Sequence, residues 1–283
     1  MSNGARIAAF RDLHQSGCFV IPNPWDVGTA RYLQSLKFPA LATTSAGFAF
    51  SRGLPDSSGA VTRDDALQHI AEIVNTTDLP VNADFGSGYA HEPEGVGENV
   101  RACVRTGVAG LSIEDMTGEE GDPLYSLPVA VDRIRAARQA IDDSGSGVLL
   151  TARAECYLVG HPNPLEESIR RLQAYAEAGA DVLYAPGVSK AEEIQEIVRS
   201  VSPKPVNVLM SANTGLRVAD LAKIGVRRIS VGSSLARTAW TGFLRAAKEI
   251  AEKGSFTGFE GSVPFAELNG FFQSDAKRKR AWQ

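Results

Sequence analysis

Three acidic residues stand beside short apolar runs: Asp84 closes Pro80–Asp84, Glu114 closes Gly110–Glu114, and Asp56 follows a Gly-Leu-Pro turn in the long segment Ala46–Val61. Carboxylates brought together with no lysine between them must share protons or hold a cation. Oxygen donors without His or Cys suit Mg2+ or Mn2+ rather than zinc. Each acid taken alone would more simply cap a helix or pair with a surface arginine; the metal reading rests on the set. Arg153 closes another run, Val148–Arg153, where it is either an ion-pair partner or a two-pronged clamp for an anionic ligand. The turn Ser45-Ala46-Gly47 offers small side chains and backbone amides to a further anionic oxygen.

These groups meet only if the runs that carry them are neighbouring strands. Eight such runs recur: Cys18–Ile21, Ala40–Ser45, Pro80–Asp84, Gly110–Glu114, Val148–Arg153, Asp181–Ala185, Pro205–Met210 and Arg228–Gly232. They are continuously apolar rather than alternating, as parallel strands covered on both faces are. Helical segments separate them. Thr62-Arg63-Asp64-Asp65 opens one, Asn163-Pro164 another, and Ser189-Lys190-Ala191-Glu192 reads as a capping box. Gly107, Gly179 and Gly225 end helices just before strands. The repeat predicts an α/β chain folded as one (β/α)8 TIM-type barrel over residues 1–283, with an extra helix at Arg6–Gln15. No G-x-G-x-x-G follows the first strand, which disfavours an open doubly wound sheet. In a barrel the chemistry gathers at the C-terminal strand ends, where Asn23, Asp26, Asp84, Glu114, Asp115, Arg153 and Glu155 fall, with Asn207 inside the seventh strand. The stretch 255–283 lies beyond the barrel, and its apolar part, Val263–Phe272, must fold back or pack on a neighbouring subunit.

Composition narrows the field. The 283 residues carry 43% apolar and 22% charged side chains and a net charge of −4, ordinary for a folded chain. A mildly acidic protein lacks the concentrated basic face nucleic acid requires, and Lys277-Arg278-Lys279-Arg280 reads as a solvated tail. No stretch approaches a membrane span, and no N-terminal signal is visible, so a cytoplasmic protein is expected. Three scattered cysteines, Cys18, Cys103 and Cys156, suggest neither disulfides nor a thiolate zinc site. The turns Ser211–Gly215 and Gly232-Ser233-Ser234 follow the last two strands, where barrels often bind phosphate, but ordinary turn chemistry is the simpler reading. His14 and His69 fall on helices; His91 and His161 fall in loops, with no ligand spacing.

At Thr44-Ser45-Ala46-Gly47, Gly53-Leu54-Pro55-Asp56, Asn82-Ala83-Asp84, Ile113-Glu114-Asp115 and Ala152-Arg153-Ala154-Glu155 the sequence resembles the isocitrate lyase/phosphoenolpyruvate mutase superfamily. Asn23-Pro24-Trp25-Asp26 is similar to its first-strand motif, and the resemblance runs from about Arg6 to Phe272. It implies Mg2+, a small 2-oxo or 2-hydroxy acid, and a terminal helix exchanged between subunits of a homodimer or homotetramer. It further implies that Ser45, with the amides of Ala46 and Gly47, binds a substrate carboxylate. Trp25 would wall the pocket, Arg153 grip an anion, and Asn207 lie over the substrate. Asp84 would be the principal metal carboxylate, with Asp56 and Glu114 acting directly or through water.

Two departures stand out. Asn82 takes the place of the first acid in the family's Asp-x-Asp, which removes a charge near the metal and should loosen Mg2+. The loop after the fourth strand, Met116–Pro123, lacks the lyases' K-R-C-G-H and the mutases' Lys and Asn. Cys103 is on a helix, Cys156 reads as an inert buried thiol, and Tyr125 and Glu155 are weak substitutes. Cleavage of an isocitrate-like acid needs a proton donor for the carbanion; enolate formation at a metal-chelated 2-oxo acid does not need one at the bond-breaking step. The expectation is therefore a Mg2+-dependent carbon–carbon lyase of decarboxylase type. Phosphonate chemistry (mutase or hydrolase) and a non-catalytic 2-oxo acid binding protein are the alternatives.

Overall fold

The computed structural model describes residues 1–57 and 59–280, and the side chains of the basic run at 277–280 lie outside what it describes. The chain divides into two compact units, Met1–Leu235 and a second from Ala236 onward. In the first, strands and helices alternate: α1 (Asn3–Leu13), β1 (Phe19–Ile21), α2 (Val27–Ser35), β2 (Leu41–Ala42), α3 (Ser45–Ser51), α4 (Arg63–Thr76), β3 (Val81–Asp84), α5 (Pro93–Arg105), β4 (Gly110–Glu114), α6 (Leu127–Asp143), β5 (Leu149–Arg153), α7 (Pro164–Glu177), β6 (Val182–Tyr184), α8 (Ala191–Ser200), β7 (Val206–Leu209), α9 (Val218–Lys223) and β8 (Arg228–Ser230). Helix α10 (Ser234–Lys253) begins at the junction, and α11 (Phe265–Arg280) follows in the second unit.

The eight strands are all parallel, in the order β1-β8-β7-β6-β5-β4-β3-β2. The remaining seam, between β1 and β2, is bridged by the Ala42 N–H donating to the Pro22 carbonyl at 3.1 Å. Asn23 staples the same seam: its Nδ2 donates to the Thr43 carbonyl, and its Oδ1 accepts from the amides of Val231 and Gly232, each at 2.9 Å. Asn23, expected at the mouth, thus closes the barrel with its whole amide.

Apolar faces of the helices pack on the outside of the strands, while part of the barrel interior is polar. Asn82, Ser112, Thr151, Asn207 and Arg228 are all buried. Most of their polar atoms are paired with one another or with the backbone, but Asn82 Oδ1 and Arg228 Nη1 are buried without a partner. Arg228 Nε donates to Asn207 Oδ1 at 2.9 Å and Nη2 to Thr151 Oγ1 at 3.1 Å. Under the barrel, α1 presses the fully buried Phe10 against β4, where a Cβ on Gly110 would come within 2.7 Å of the Phe10 ring and 2.8 Å of Asn82 Oδ1. Only glycine admits that approach.

The expected helix stops at Gly107, Gly179 and Gly225 all have positive φ, and Thr62 caps α4 by accepting from the Asp65 amide at 3.2 Å. Local details differ. The second strand is only Leu41–Ala42, because Thr44 turns the chain into α3 by accepting from the Gly47 amide at 3.3 Å. The long segment after that strand is therefore partly helical. Ser189 is not a cap: α8 starts one residue later, with Lys190 in the cap position and no side-chain cap bond. A capping box does form at α2, between Asp26 and Thr29.

Candidate active site

Alternation along β3, β4 and β5 points every second side chain to the same face. The register pairs Asp84 with Ser112 and Glu114 with Arg153, so the strand ends bring acids and guanidinium to one mouth. That mouth opens on a cavity of about 650 Å³ whose lining includes Ser45, Ala46, Asp56, Asp84, Glu114 and Arg153.

Arg153 is the hub. Its Nε donates to Glu155 Oε1 at 2.7 Å, Nη1 to Asp84 Oδ1 at 2.9 Å, and Nη2 pairs with Glu114 Oε2 at 3.1 Å. Its guanidinium also lies 5.2 Å from the centre of the Tyr184 ring. Burial opposes its charge, but Glu155, Glu114 and Asp84 outweigh that and hold its pKa well above the usual range. The expectation set Arg153 opposite the acids, facing a ligand; the structure sets it among them. Asp84 spends its other oxygen, Oδ2, on the Ser45 amide at 2.9 Å.

The acids outnumber their counter-ion. Asp56, Asp84, Glu114 and Glu155 surround one guanidinium, and three of these carboxyls are pushed up. Burial is the first cause for each. Glu155 is fully buried and rises to about 8, and its Oε2 has no hydrogen-bond partner. For Asp56 the Asp84 charge adds to desolvation, and a hydrogen bond from Ser45 and the charge of Arg153 oppose it. The Asp56 loop does reach the mouth.

Other expected residues are placed differently. Trp25 is half-buried and does not line the cavity; the capping box at Asp26 turns the chain into α2, and the Trp25 amide donates to Thr29 Oγ1 at 3.3 Å. Of the three amides expected to be free, that of Ser45 serves Asp84 and that of Gly47 serves the Thr44 cap. Asn82 lies two residues deeper on β3 than Asp84, with Nδ2 donating to the Ala83 carbonyl at 3.1 Å and Oδ1 buried without a partner. Asn207 lines the cavity, but its amide is held by Arg228 and by Ser230 Oγ at 3.0 Å. Cys156 is buried and its thiol is pushed up to about 11, chiefly by burial. At the two late turns, Asn213 Oδ1 takes the Gly215 amide, which is ordinary turn chemistry, whereas the Gly232 amide is taken by Asn23 across the barrel seam.

Whether these residues suit a divalent cation can be tested on the donor set. The candidate donors are the carboxylate oxygens of Asp56, Asp84 and Glu114 and the amide oxygen of Asn82, and the surplus of carboxylate over guanidinium calls for added positive charge; both fit Mg2+ or Mn2+. No three His, Cys, Asp or Glu side chains among the described residues already form a cage, because Arg153 stands between the acids.

Tyr89 escaped the sequence reading, and so did the contacts of Asp115 and His91, which it had named. Tyr89, φ +56°, is one of two non-glycine residues in the left-handed region among the described residues. The buried Asn99 holds it there, Nδ2 donating to the carbonyls of Gly88 (2.9 Å) and Tyr89 (3.1 Å). Its phenol is kept protonated first by burial, then by Asp84 and Glu114. Asp115 is a buried brace, its Oδ1 accepting from the Glu155 amide (2.9 Å), its Oδ2 from Arg171 Nη1 (2.9 Å) and the Tyr175 hydroxyl (2.6 Å). His91, read as a plain loop residue, lies 2.7 Å from the Tyr125 hydroxyl through Nδ1. No local spacing signals any of these contacts, since each joins residues far apart in the chain.

Comparison with known proteins decides the family. Residues 10–251 match the family model described as phosphoenolpyruvate phosphomutase. The chain belongs to the phosphoenolpyruvate phosphomutase family. The crystal structure of a Burkholderia cenocepacia protein described as a lyase/mutase is 47% identical, with a TM-score of 0.90, covering 95% of this chain and 96% of that one. The oxaloacetate decarboxylase of Pseudomonas entomophila is 31% identical over 79% of this chain and 77% of its own length. The crystal structure of 2,3-dimethylmalate lyase, a member of the PEP mutase/isocitrate lyase superfamily, is 26% identical with a TM-score of 0.84, covering 100% of this chain and 99% of that one. The superfamily resemblance and the barrel are thereby established. No described helix is long and apolar enough to cross a membrane.

Proposed function

We propose that this protein is a cytoplasmic, Mg2+-dependent carbon–carbon lyase of decarboxylase type, with Mn2+ able to substitute, acting on a small 2-oxo or 2-hydroxy dicarboxylic acid. The observation that carries this reading is the surplus of Asp56, Asp84, Glu114 and Glu155 over Arg153 at the mouth of one cavity. A dianionic acid is repelled from such a mouth unless positive charge beyond that of Arg153 is supplied. Asp84, with Asp56 and Glu114, would hold the cation, and for that Arg153 must release one Asp84 oxygen. When bound, the cation polarises the 2-oxo group as a Lewis acid.

The chain's own residues position the acid. Arg153 has five N–H hydrogens, and the three acids account for three contacts, so it keeps donors for a substrate carboxylate. Ala46 lines the cavity beside Ser45 and Gly47, whose amides are already engaged, and its amide would serve the substrate's carboxylate. Loss of one carboxylate as CO2 leaves its electron pair in an enolate. The Pseudomonas oxaloacetate decarboxylase supports the reaction class.

The same reading includes a homodimer or homotetramer with an exchanged terminal helix. Phe265 is 84% exposed, and Val263 and Leu268 are also uncovered in the second unit. Light scattering giving a monomer would remove that part.

The test is a panel of 2-oxo and 2-hydroxy diacids, oxaloacetate among them, with Mg2+ and product NMR. Release of CO2 is expected, and Asp84→Ala should lower turnover by about 100-fold or more with an unchanged circular dichroism spectrum. Undiminished turnover in that variant overturns the reading. The family model's own description favours phosphonate chemistry as a second reading. In the loop Met116–Pro123, which would form the lid over the mouth, the acids Glu119, Glu120 and Asp122 weigh against so highly charged a substrate, and phosphonopyruvate followed by phosphorus NMR separates the two.

A further inference from the structure

We infer that Tyr125, reloaded by His91, is the group that protonates the carbanion formed in the proposed reaction; the inference rests on the decarboxylase reading. The Tyr125 hydroxyl lies 2.7 Å from His91 Nδ1, and both residues line the cavity that contains Asp84 and Arg153. The lid's own acids, Glu119, Glu120 and Asp122, are not among the residues lining that cavity.

The pair is held from several sides. Arg133, 1% exposed, places its guanidinium 4.0 Å from the centre of the Tyr125 ring. The same guanidinium donates to the carbonyls of Ser87, Ala90 and His91, fixing the loop that carries His91. The Tyr125 amide donates to the Asp115 carbonyl at 2.9 Å, and its carbonyl accepts from Arg171 Nη1 at 2.9 Å. A cation against the face of a phenol stabilises the phenolate left when the proton departs. Three other proton-bearing groups of the cavity lack this connection to solvent. Glu155 is fully buried against Arg153, Tyr184 is buried beside the same guanidinium, and His69 is buried and stacked on Phe48 at 4.0 Å. His91 is exposed, so its ring exchanges protons with water.

The step balances. The bond between C3 and the departing carboxylate breaks, and its electron pair forms the enolate as CO2 leaves. The enolate carbon then takes the proton from Tyr125 Oη, forming a C–H bond. His91 as the imidazolium returns its Nδ1 proton to the phenolate and is left neutral with the proton on Nε2, and a solvent proton then reloads Nδ1, so one solvent proton is consumed for each CO2 released. Arg133 is a positioning residue and takes no proton.

The same pair, run backwards, exchanges the methyl protons of pyruvate with solvent. The experiment compares wild type, Tyr125→Phe and His91→Gln, each with Mg2+ in D2O, for C3 exchange of pyruvate and for CO2 release from oxaloacetate. Tyr125→Phe keeps the ring on Arg133. It should lose about 100-fold in exchange while CO2 release falls by a much smaller factor, and His91→Gln should show the same split less severely. Exchange kept within twofold in both variants overturns the inference. So does loss of exchange and CO2 release by one common factor, which would make the pair an anchor of the lid. A wild type that performs neither reaction defeats the decarboxylase reading, and this inference falls with it.

Discussion

Arg153 Nη1 stands 2.9 Å from Asp84 Oδ1, so the cation nearest the principal acid of the site belongs to the protein itself. Three ion pairs converge on this one guanidinium, two of them with acids expected to hold metal. Removing one partner of a buried set leaves uncompensated charge. Arg153→Ala should therefore lower stability by about 3–5 kcal/mol in denaturant titrations without Mg2+, as well as raise the half-saturating substrate concentration. An unchanged unfolding midpoint would show that the acids take up protons and need no counter-ion.

Asn82 lies below Asp84 with one buried oxygen unpartnered. Asn82→Asp replaces a neutral acceptor by a carboxylate and removes the donor to Ala83. The variant should be less stable than wild type without Mg2+, and titration calorimetry should show tighter Mg2+ binding. Weaker binding would contradict the assignment of this side chain to the metal environment.

His14 and His69 predict the acid side of the stability curve. Burial is the main cause of both shifts, lowering His14 to about 3 and His69 to about 4. His14 Nδ1 lies 2.8 Å from the Phe10 carbonyl, and Nε2 has no partner in either ring. Both groups bind protons more readily unfolded, at an ordinary pKa near 6.5. Their contribution is thus complete above about pH 6.5 and is lost as the pH falls towards 4 and then 3. His69 alone should remove roughly 3 kcal/mol by pH 4. Urea midpoints between pH 7 and 4 should fall less steeply in His69→Phe than in wild type; parallel curves would exclude the histidine as a source.

Gly110 tests the bottom of the barrel. A methyl group there meets the Phe10 ring at 2.7 Å, Asn82 Oδ1 at 2.8 Å and the Leu149 carbonyl at 3.3 Å. The strand backbone cannot yield easily, so Gly110→Ala should cost about 1–3 kcal/mol. A melting temperature within a degree of wild type would show that Phe10 moves aside freely.

The order of elements was legible in the sequence because each signal is local. An apolar run reads as a buried strand, and the glycines at 107, 179 and 225 read as helix stops through their backbone freedom. Asp84, Glu114 and Arg153 were legible as strand-end residues for the same reason, and eight repeats then bring their ends together. What the sequence could not decide is who pairs with whom at that mouth. Arg153 lies 69 residues from Asp84, the Ser45 amide 39 residues from the same carboxylate, and Tyr125 34 residues from His91. Trp25 left the pocket, Tyr89 entered it, and Glu155 was found paired with Arg153, because buried charges and strained backbones are settled by the partners that burial forces on them. Local residue type determines which element forms; only the closed barrel determines which charges meet.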